Sequence, residues 1–192
     1  MSAQLTWSHY CELLSIKDIN EINYYINISI KQNLSKRQLR EKIKSKEYQR
    51  LDDNTKLKLI NKEETVVSDF IKNPIVIKNK YNIDKEEVTE KILKKLILED
   101  LDNFLKELGT GFSYIENEYK IKIGNTYNYI DILLFNYIYN CFVVIELKVT
   151  ELKKEHIGQI QIYMNYVDKN IKTINQDKTI GVIISKKIMV IT

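Results

Sequence analysis

The chain of 192 residues contains two cysteines, two histidines, one proline and no apolar run long enough to cross a membrane. Cys11 and Cys141 lie far apart and neither belongs to a CxxC motif, which argues against a zinc site and against a disulfide framework. The first ten residues lack the basic-then-apolar pattern of a signal peptide. We therefore expect a cytoplasmic protein that has no membrane partner.

Charge is abundant but nearly balanced, with 30 lysine and arginine residues against 26 aspartate and glutamate residues. The formal net charge of +4 is a mild bias toward anionic partners and does not identify one by itself. A hydrophobic fraction of 44% over this length is enough for the core of one domain or of two small ones.

Residues 1–51 have apolar residues at helical spacing and predict three short helices. Ser35 and Gln38 have the spacing of a capping box at the start of the third helix. That helix is basic, and a compact helical unit with a basic last helix suits helix-turn-helix contact with DNA. The alternative, a solvated face on an ordinary helical hairpin, stays open. The candidate nucleic-acid-binding residues are Arg37, Arg40 and Lys44.

The rest of the chain divides into a polar segment and a second domain. Residues 52–83 show little periodicity and are predicted to form a connector. Residues 84–192 predict the order α-β-β-β-α-β, beginning with a long helix from Asp84 to Gly109. Gly124–Asn125 is the predicted turn between the first two strands.

Three charges interrupt the two most apolar strands of this domain. Asp131 lies in one strand, and Glu146 and Lys148 lie in the next. Antiparallel pairing would place Asp131 beside Glu146, and two adjacent carboxylates repel unless a cation lies between them. Mg²⁺ prefers such oxygen ligands, and a nearby lysine can stabilise a developing phosphoryl charge. The pattern favours a phosphodiester hydrolase over its alternative, an ion pair on a solvated sheet face.

The stretches YIDILLFN, CFVVIELKV and GQIQIYMNYVD resemble the PD-(D/E)XK nuclease superfamily, whose signature is an acid, a spacer and then (D/E)-x-K on the next strand. Within it the chain is most similar to the YhcG-like family of bacterial nucleases, which LTWSHYCELLSIKD, LSKRQLREKIKSKEYQRL and FLKELGTGFSYI also resemble. The resemblance implies an α/β (α+β) fold, with a restriction-endonuclease-like α-β-β-β-α-β core preceded by a small all-helical region. It runs from Leu5 to about Ser185, whereas relatives extend further, so we expect a shortened member of the family.

The resemblance also implies roles for individual residues. Asp131 and Glu146 match the two acids and Lys148 the lysine, and the carbonyl of Leu147 would be a further ligand of Mg²⁺, or of Mn²⁺ in its place. Gln159 and Tyr163 match a Q-x-x-x-Y element and share one helix face; for them the alternative is packing under the sheet. An acid from the first helix often completes such sites, and three residues compete for this position: Glu90, Glu99 and Asp100.

Three functions follow from these observations. The first is a metal-dependent nuclease that cuts DNA, or RNA, by attack of an activated water. The second is a nucleic-acid-binding or assembly module that keeps the nuclease fold without turnover. The third is a lysine-rich scaffold without a nucleic-acid partner. The intact set of two acids and a lysine favours the first function, and the sequence leaves homo-oligomerisation open.

Overall fold

The computed structural model describes residues 5–73, 75–84, 86–185 and 189–191. The chain divides into two compact units, Met1–Thr65 and Val66–Thr192. The boundary between the units lies inside residues 52–83, the predicted connector. This segment contains a helix near its start and a short strand near its end. None of the described helices is both long and apolar enough to cross a membrane.

The described part of the first unit, from residue 5 onward, contains four helices: α1 (Trp7–Leu13), α2 (Ile19–Lys31), α3 (Lys36–Lys44) and α4 (Asp53–Asn61). The capping box predicted at the start of α3 is present, since the Ser35 hydroxyl accepts a hydrogen bond from the Gln38 N–H and the Gln38 side chain accepts one from the Ser35 N–H. Buried aromatic and aliphatic side chains form the unit's core: Leu13, Tyr24, Tyr25, Ile28, Leu39, Tyr48 and Leu51.

Among its described residues, the second unit contains a short 3₁₀ helix (Val67–Phe70), three α-helices and six strands. The helices are α5 (Glu90–Glu99), α6 (Leu101–Leu108) and α7 (Lys154–Asn170). The strands are β1 (Ile75–Ile77), β2 (Phe112–Ile123), β3 (Thr126–Asn136), β4 (Cys141–Lys148), β5 (Asp177–Ser185) and β6 (Met189–Ile191). The predicted order α-β-β-β-α-β is confirmed, and β1 and β6 add a small parallel pair.

The main sheet has the strand order β2-β3-β4-β5. Its first three strands are antiparallel neighbours, and β5 lies parallel to β4 because α7 carries the chain back between them. Gly124 has φ +59° in the turn that joins Ile123 to Thr126, which confirms the predicted hairpin.

Helices cover both faces of the middle of this sheet, so the end of β3 and most of β4 are buried on both sides. On one face α5 and α6 pack against alternate residues of β3 and β4, including Ile132, Leu134, Val143, Ile145 and Leu147. On the other face α7 packs against a second set, which includes Ile121, Ile130, Leu133 and Val144. Gly181 lets α7 approach β5, because a Cβ atom there would lie 2.6 Å from the Met164 sulfur. This arrangement explains the long apolar runs of β3 and β4.

The single long helix predicted from Asp84 to Gly109 is wrong. The helical segment begins only after Thr89, whose hydroxyl accepts the N–H of Ile92, and it breaks at Asp100, whose φ of −131° is not helical. The Asn103 side chain donates to the Asp100 carboxylate, a local bond that competes with continued helix. The prediction followed apolar periodicity, which both helices share, and so passed over the break.

Candidate active site

Strand β3 delivers Asp131 to β4 at the point where the two strands separate. The antiparallel pairing runs from Asn136 opposite Cys141 to Ile132 opposite Ile145. At the next position the carboxylate of Asp131 accepts the backbone N–H of Leu147, with 2.9 Å between Oδ2 and N. The Asp131 side chain thus accepts a hydrogen bond that a backbone carbonyl of β3 would accept in a continued sheet. This bond holds Asp131 against β4, the strand that carries Glu146 and Lys148.

Glu146 and Lys148 form an ion pair at the end of β4, with 2.9 Å between Oε1 and Nζ. The side chain of Glu146 is only 3% exposed. Its second oxygen, Oε2, is buried and has no hydrogen-bond partner among the described residues. A buried carboxylate oxygen without a partner is costly and rare, so this atom marks a place where the protein alone leaves a carboxylate unsatisfied.

The electrostatics of this pair follow from its burial and its neighbours. Burial raises the pKa of Glu146; the hydrogen bond from Lys148 opposes that shift, while the negative charges of Asp131 and Glu90 add to it. Burial alone would lower the pKa of Lys148, but its hydrogen bond to Glu146 and the surrounding carboxylates raise it instead. Lys148 is therefore a cation held among acids.

Helix α5 contributes two further charged residues to the site. The Nζ atom of Lys94 lies 2.6 Å from Oδ1 of Asp131 and 3.3 Å from Oε1 of Glu118. Four residues earlier, on the same helix face, Glu90 has its Oε2 atom 3.6 Å from Nζ of Lys148. Burial alone would lower the pKa of Lys94, but the Asp131 hydrogen bond and charge raise it. The sequence did not single out Lys94, because α5 offers several lysines.

The structure distinguishes among the three helical acids that competed in the sequence. Glu90 lies beside Lys148, whereas Glu99 accepts a hydrogen bond from the hydroxyl of Tyr81 at 2.6 Å. Asp100 accepts the amide of Asn103. Glu90 is thus the helical acid that faces the predicted site.

Gln159 and Tyr163 lie on α7 and bond to each other, with 2.8 Å between Nε2 and the hydroxyl oxygen. Tyr163 is 4% exposed and belongs to the core between α7 and the sheet. Within the described ranges, no hydrogen bond joins either residue to Asp131 or Glu146. These contacts are the ones expected of the packing alternative, and a role of the two residues in the site stays a prediction.

The predicted nucleic-acid-binding residues of the first unit lie along α3. The guanidinium of Arg40 binds Glu12 through two hydrogen bonds of 2.9 and 2.7 Å. Arg37 pairs with Glu41 at 3.2 Å and is 89% exposed. Lys44 is exposed. Two of the three charges thus have an acidic partner within the unit, and their contact with nucleic acid stays a prediction.

The donor set at the end of β4 fits a hard divalent cation in its chemistry. Two carboxylates, one with an unpartnered buried oxygen, and a backbone carbonyl at Leu147 are ligand types that Mg²⁺ accepts together with water. In the described part of the chain, no group of three or more His, Cys, Asp or Glu side chains is arranged to hold a metal ion. A cation here would therefore rely on the carbonyl, on water and on a substrate phosphate for its remaining ligands.

Comparison with known proteins assigns the class that this fold and this site suggest. A sequence model of the YhcG PDDEXK nuclease domain matches residues 68–191, and one of the DUF1016 N-terminal domain matches residues 1–50. The chain belongs to the YhcG PDDEXK nuclease domain family. The expected family and its α/β (α+β) fold are thereby confirmed.

A curated relative shows the same similarity over nearly the whole chain. The Escherichia coli (strain K12) protein named "Putative nuclease YhcG" is 25% identical over 189 residues, which is 95% of this chain and 50% of that protein. The chain thus spans about half the length of the relative. No solved structure matches the chain.

Proposed function

We propose that this chain is a metal-dependent nuclease that hydrolyses phosphodiester bonds of DNA in the cytoplasm. The observation that carries the proposal is the buried Oε2 atom of Glu146, which has no partner among the described residues and lies in a cluster of charged side chains. In this proposal Asp131, Glu146 and the carbonyl of Leu147 hold Mg²⁺, with Mn²⁺ as a substitute. When bound, the cation supplies positive charge against the phosphate oxygens.

The chain's own residues have separate tasks in this proposal. Asp131 is oriented by the Leu147 N–H. Lys148, held by Glu146 and Glu90, presents an ammonium that stabilises the negative charge developing on the phosphate and orients the attacking water. Because the charge grows during the reaction, this contact acts on the transition state more than on the bound substrate.

The helical unit adds affinity rather than chemistry. The face of α3 that carries Arg37, Arg40 and Lys44 would bind phosphates regardless of base sequence. Such contacts are salt-dependent, so charge reversal at these residues should weaken binding to all sequences and flatten its dependence on salt. Unchanged binding would assign the three charges to solvent and to their partners in the unit.

The test is a cleavage assay with purified chain on plasmid, linear duplex, single-stranded DNA and RNA. We expect cleavage with Mg²⁺ or Mn²⁺ and none with EDTA. The set of substrates also separates DNA from RNA, and cutting within a strand from cutting at its ends. A folded chain that cuts none of the four with either metal contradicts the proposal.

One observation favours the alternative of a binding module without turnover. Both oxygens of Asp131 already have partners, one in Lys94 and one in the Leu147 N–H. If the ammonium of Lys94 takes the position of the metal permanently, the fold binds nucleic acid and does not cut it. Binding in the same experiment without cleavage by either metal would establish this second function.

A further inference from the structure

The β2–β3 hairpin has one face that packs against the protein and one that does not. The packed face lies under α7 and includes Tyr119, Ile121, Ile123 and Ile130. On the other face, Lys120 is directly opposite Tyr129 and Lys122 is directly opposite Tyr127. All four side chains are exposed, and the two tyrosines retain 54% (Tyr127) and 52% (Tyr129) of their surface. We call these four residues the hairpin face.

The two tyrosines of the hairpin face have different surroundings. The Nζ atoms of Lys120 and Lys122 lie 4.0 and 5.9 Å from the centre of the Tyr127 ring. Both ammonium groups are thus gathered over one ring. In the part of the chain that the structure describes, Tyr129 has no such cation contact and no aromatic neighbour. The face therefore offers a pair of positive charges beside an open aromatic ring.

The hairpin face is continuous in sequence with the candidate active site. Tyr129 precedes Asp131 by two residues on β3, a separation of about 7 Å along a strand. Beside Asp131, between the pairs Tyr119–Ile130 and Asn117–Ile132, β2 carries one exposed acid, Glu118, which pairs with Lys94. A strand of nucleic acid that lies along β3 over the hairpin face would pass directly to Asp131.

We propose that the hairpin face binds single-stranded nucleic acid and guides it into the active site. A base stacks on the open ring of Tyr129, and phosphates contact Lys120 and Lys122, a combination of ring and cations that suits unpaired strands of any sequence. A duplex keeps its bases stacked on each other and cannot use the ring in this way. That the bound strand leads to an active site rests on the proposed function. The inference adds to that function the kind of substrate, which is single-stranded nucleic acid.

The test measures affinity for a labelled single-stranded oligonucleotide by fluorescence anisotropy, with the full chain in EDTA and Lys148→Ala present in every protein. Under these conditions no strand is cut, so binding is seen alone. We expect Tyr129→Ala to weaken binding about 5- to 100-fold and Tyr129→Phe to bind like the parent, because stacking needs the ring and not the hydroxyl. Tyr137→Ala is the matched control, since Tyr137 is 63% exposed and lies in the turn after β3. It should leave binding unchanged.

The lysines have a separate readout. The double variant Lys120→Gln/Lys122→Gln should reduce the slope of log affinity against log salt by about 1.4, which is the value for two phosphate contacts on a single strand. The control is Lys169→Gln/Lys178→Gln, because these two lysines are exposed and lie elsewhere in the unit. It should keep the parent slope.

Three results would each overturn the inference. The first is parental affinity in Tyr129→Ala, and the second is duplex binding as tight as single-strand binding. The third is binding to phosphatidylserine vesicles that Tyr129→Ala abolishes while oligonucleotide affinity is unchanged, since this would assign the face to an anionic membrane surface.

The two proposals fail in distinguishable ways. If the wild type cuts nothing but the hairpin variants lose single-strand binding, the nuclease proposal fails and the hairpin inference stands. If the wild type cuts and the hairpin variants bind single strands normally, the nuclease proposal stands and the hairpin inference fails.

Discussion

The ammonium of Lys94 lies 2.6 Å from one carboxylate oxygen of Asp131, and the backbone N–H of Leu147 binds the other oxygen. A residue of α5 thus pairs with the acid that the sequence predicts to be the first of the site. Glu146 is paired differently. Its Oε1 atom binds Lys148, whereas its Oε2 atom has no hydrogen-bond partner among the described residues. The two predicted acids therefore differ in how their oxygens are paired.

Replacing Lys94 with glutamine should make divalent cations bind more tightly. The lysine competes for Asp131, and removing one competing positive charge is worth on the order of 1 kcal/mol, or about fivefold in affinity. Titration calorimetry with Mg²⁺ or Mn²⁺ measures this without any need for activity. Lys95→Gln is the control, because Lys95 is 64% exposed and pairs with Glu99 instead. Equal metal affinities in all three proteins would show that Lys94 does not compete.

Asp131→Asn should destabilise the metal-free protein. The carboxylates alone suggest the opposite, since removing one of two like charges would relieve repulsion. In the structure, however, the substitution removes the Lys94 ion pair, and the loss is expected to be about 1.5–3 kcal/mol, the range for hydrogen bonds to charged groups. Urea unfolding in EDTA measures it. A gain in stability would show that repulsion between the acids exceeds the Lys94 contact.

The salt bridge of the helical unit predicts a pH-dependent stability. The hydrogen bond from Arg40 lowers the pKa of Glu12 from its ordinary 4.5 to about 2. A lowered carboxyl pKa stabilises the folded state above the unfolded value and loses that contribution as pH falls toward the folded value. Glu12→Gln should therefore be less stable than wild type at pH 7, with the difference shrinking between pH 4.5 and about 2.

Urea unfolding followed by circular dichroism at a series of pH values gives this difference. Glu41→Gln is the matched control. Glu41 pairs with Arg37, but both side chains are mostly exposed to solvent, so this pair contributes little to stability. That variant should stay close to wild type throughout. A Glu12→Gln effect that does not change with pH would mean that packing, not charge, is lost.

The two thiols should react at very different rates. Cys11 is exposed and Cys141 is buried, and burial raises the pKa of Cys141 to about 11. Because the thiolate is the reactive form, a thiol reagent at pH 8 should modify one cysteine per folded chain and two after unfolding. Two fast thiols in the native protein would contradict the placement of β4 in the core. The same titration checks that each variant above is folded.

Much of this fold could be predicted from the sequence because its signals are local. The capping box at Ser35 and the Gly124 turn each act within a few residues, and both appear where they were predicted. The pairing of β1 with β6 joins Ile75 to Met189 across more than a hundred residues, and no local pattern indicates it.

The candidate site was predictable only in part, for the same reason. Asp131, Glu146 and Lys148 stand out because charge is rare in buried strands. Lys94 does not stand out, because lysine on an exposed helix is ordinary and only the packing of α5 brings this one to Asp131. The choice of Glu90 among the helical acids likewise depends on the position of Lys148, which no local pattern gives.

The most direct test of the central claim compares cleavage and binding in Lys148→Ala. The nuclease account predicts that single-turnover cleavage with Mg²⁺ falls about 100-fold or more, because the ammonium acts on charge that develops in the transition state. Binding of uncut substrate in EDTA should stay near wild type, and Lys169→Ala should change neither quantity. A folded Lys148→Ala protein that cuts at the wild-type rate would contradict the account, and so would an unfolded one, since Lys148 would then be a structural partner of Glu146.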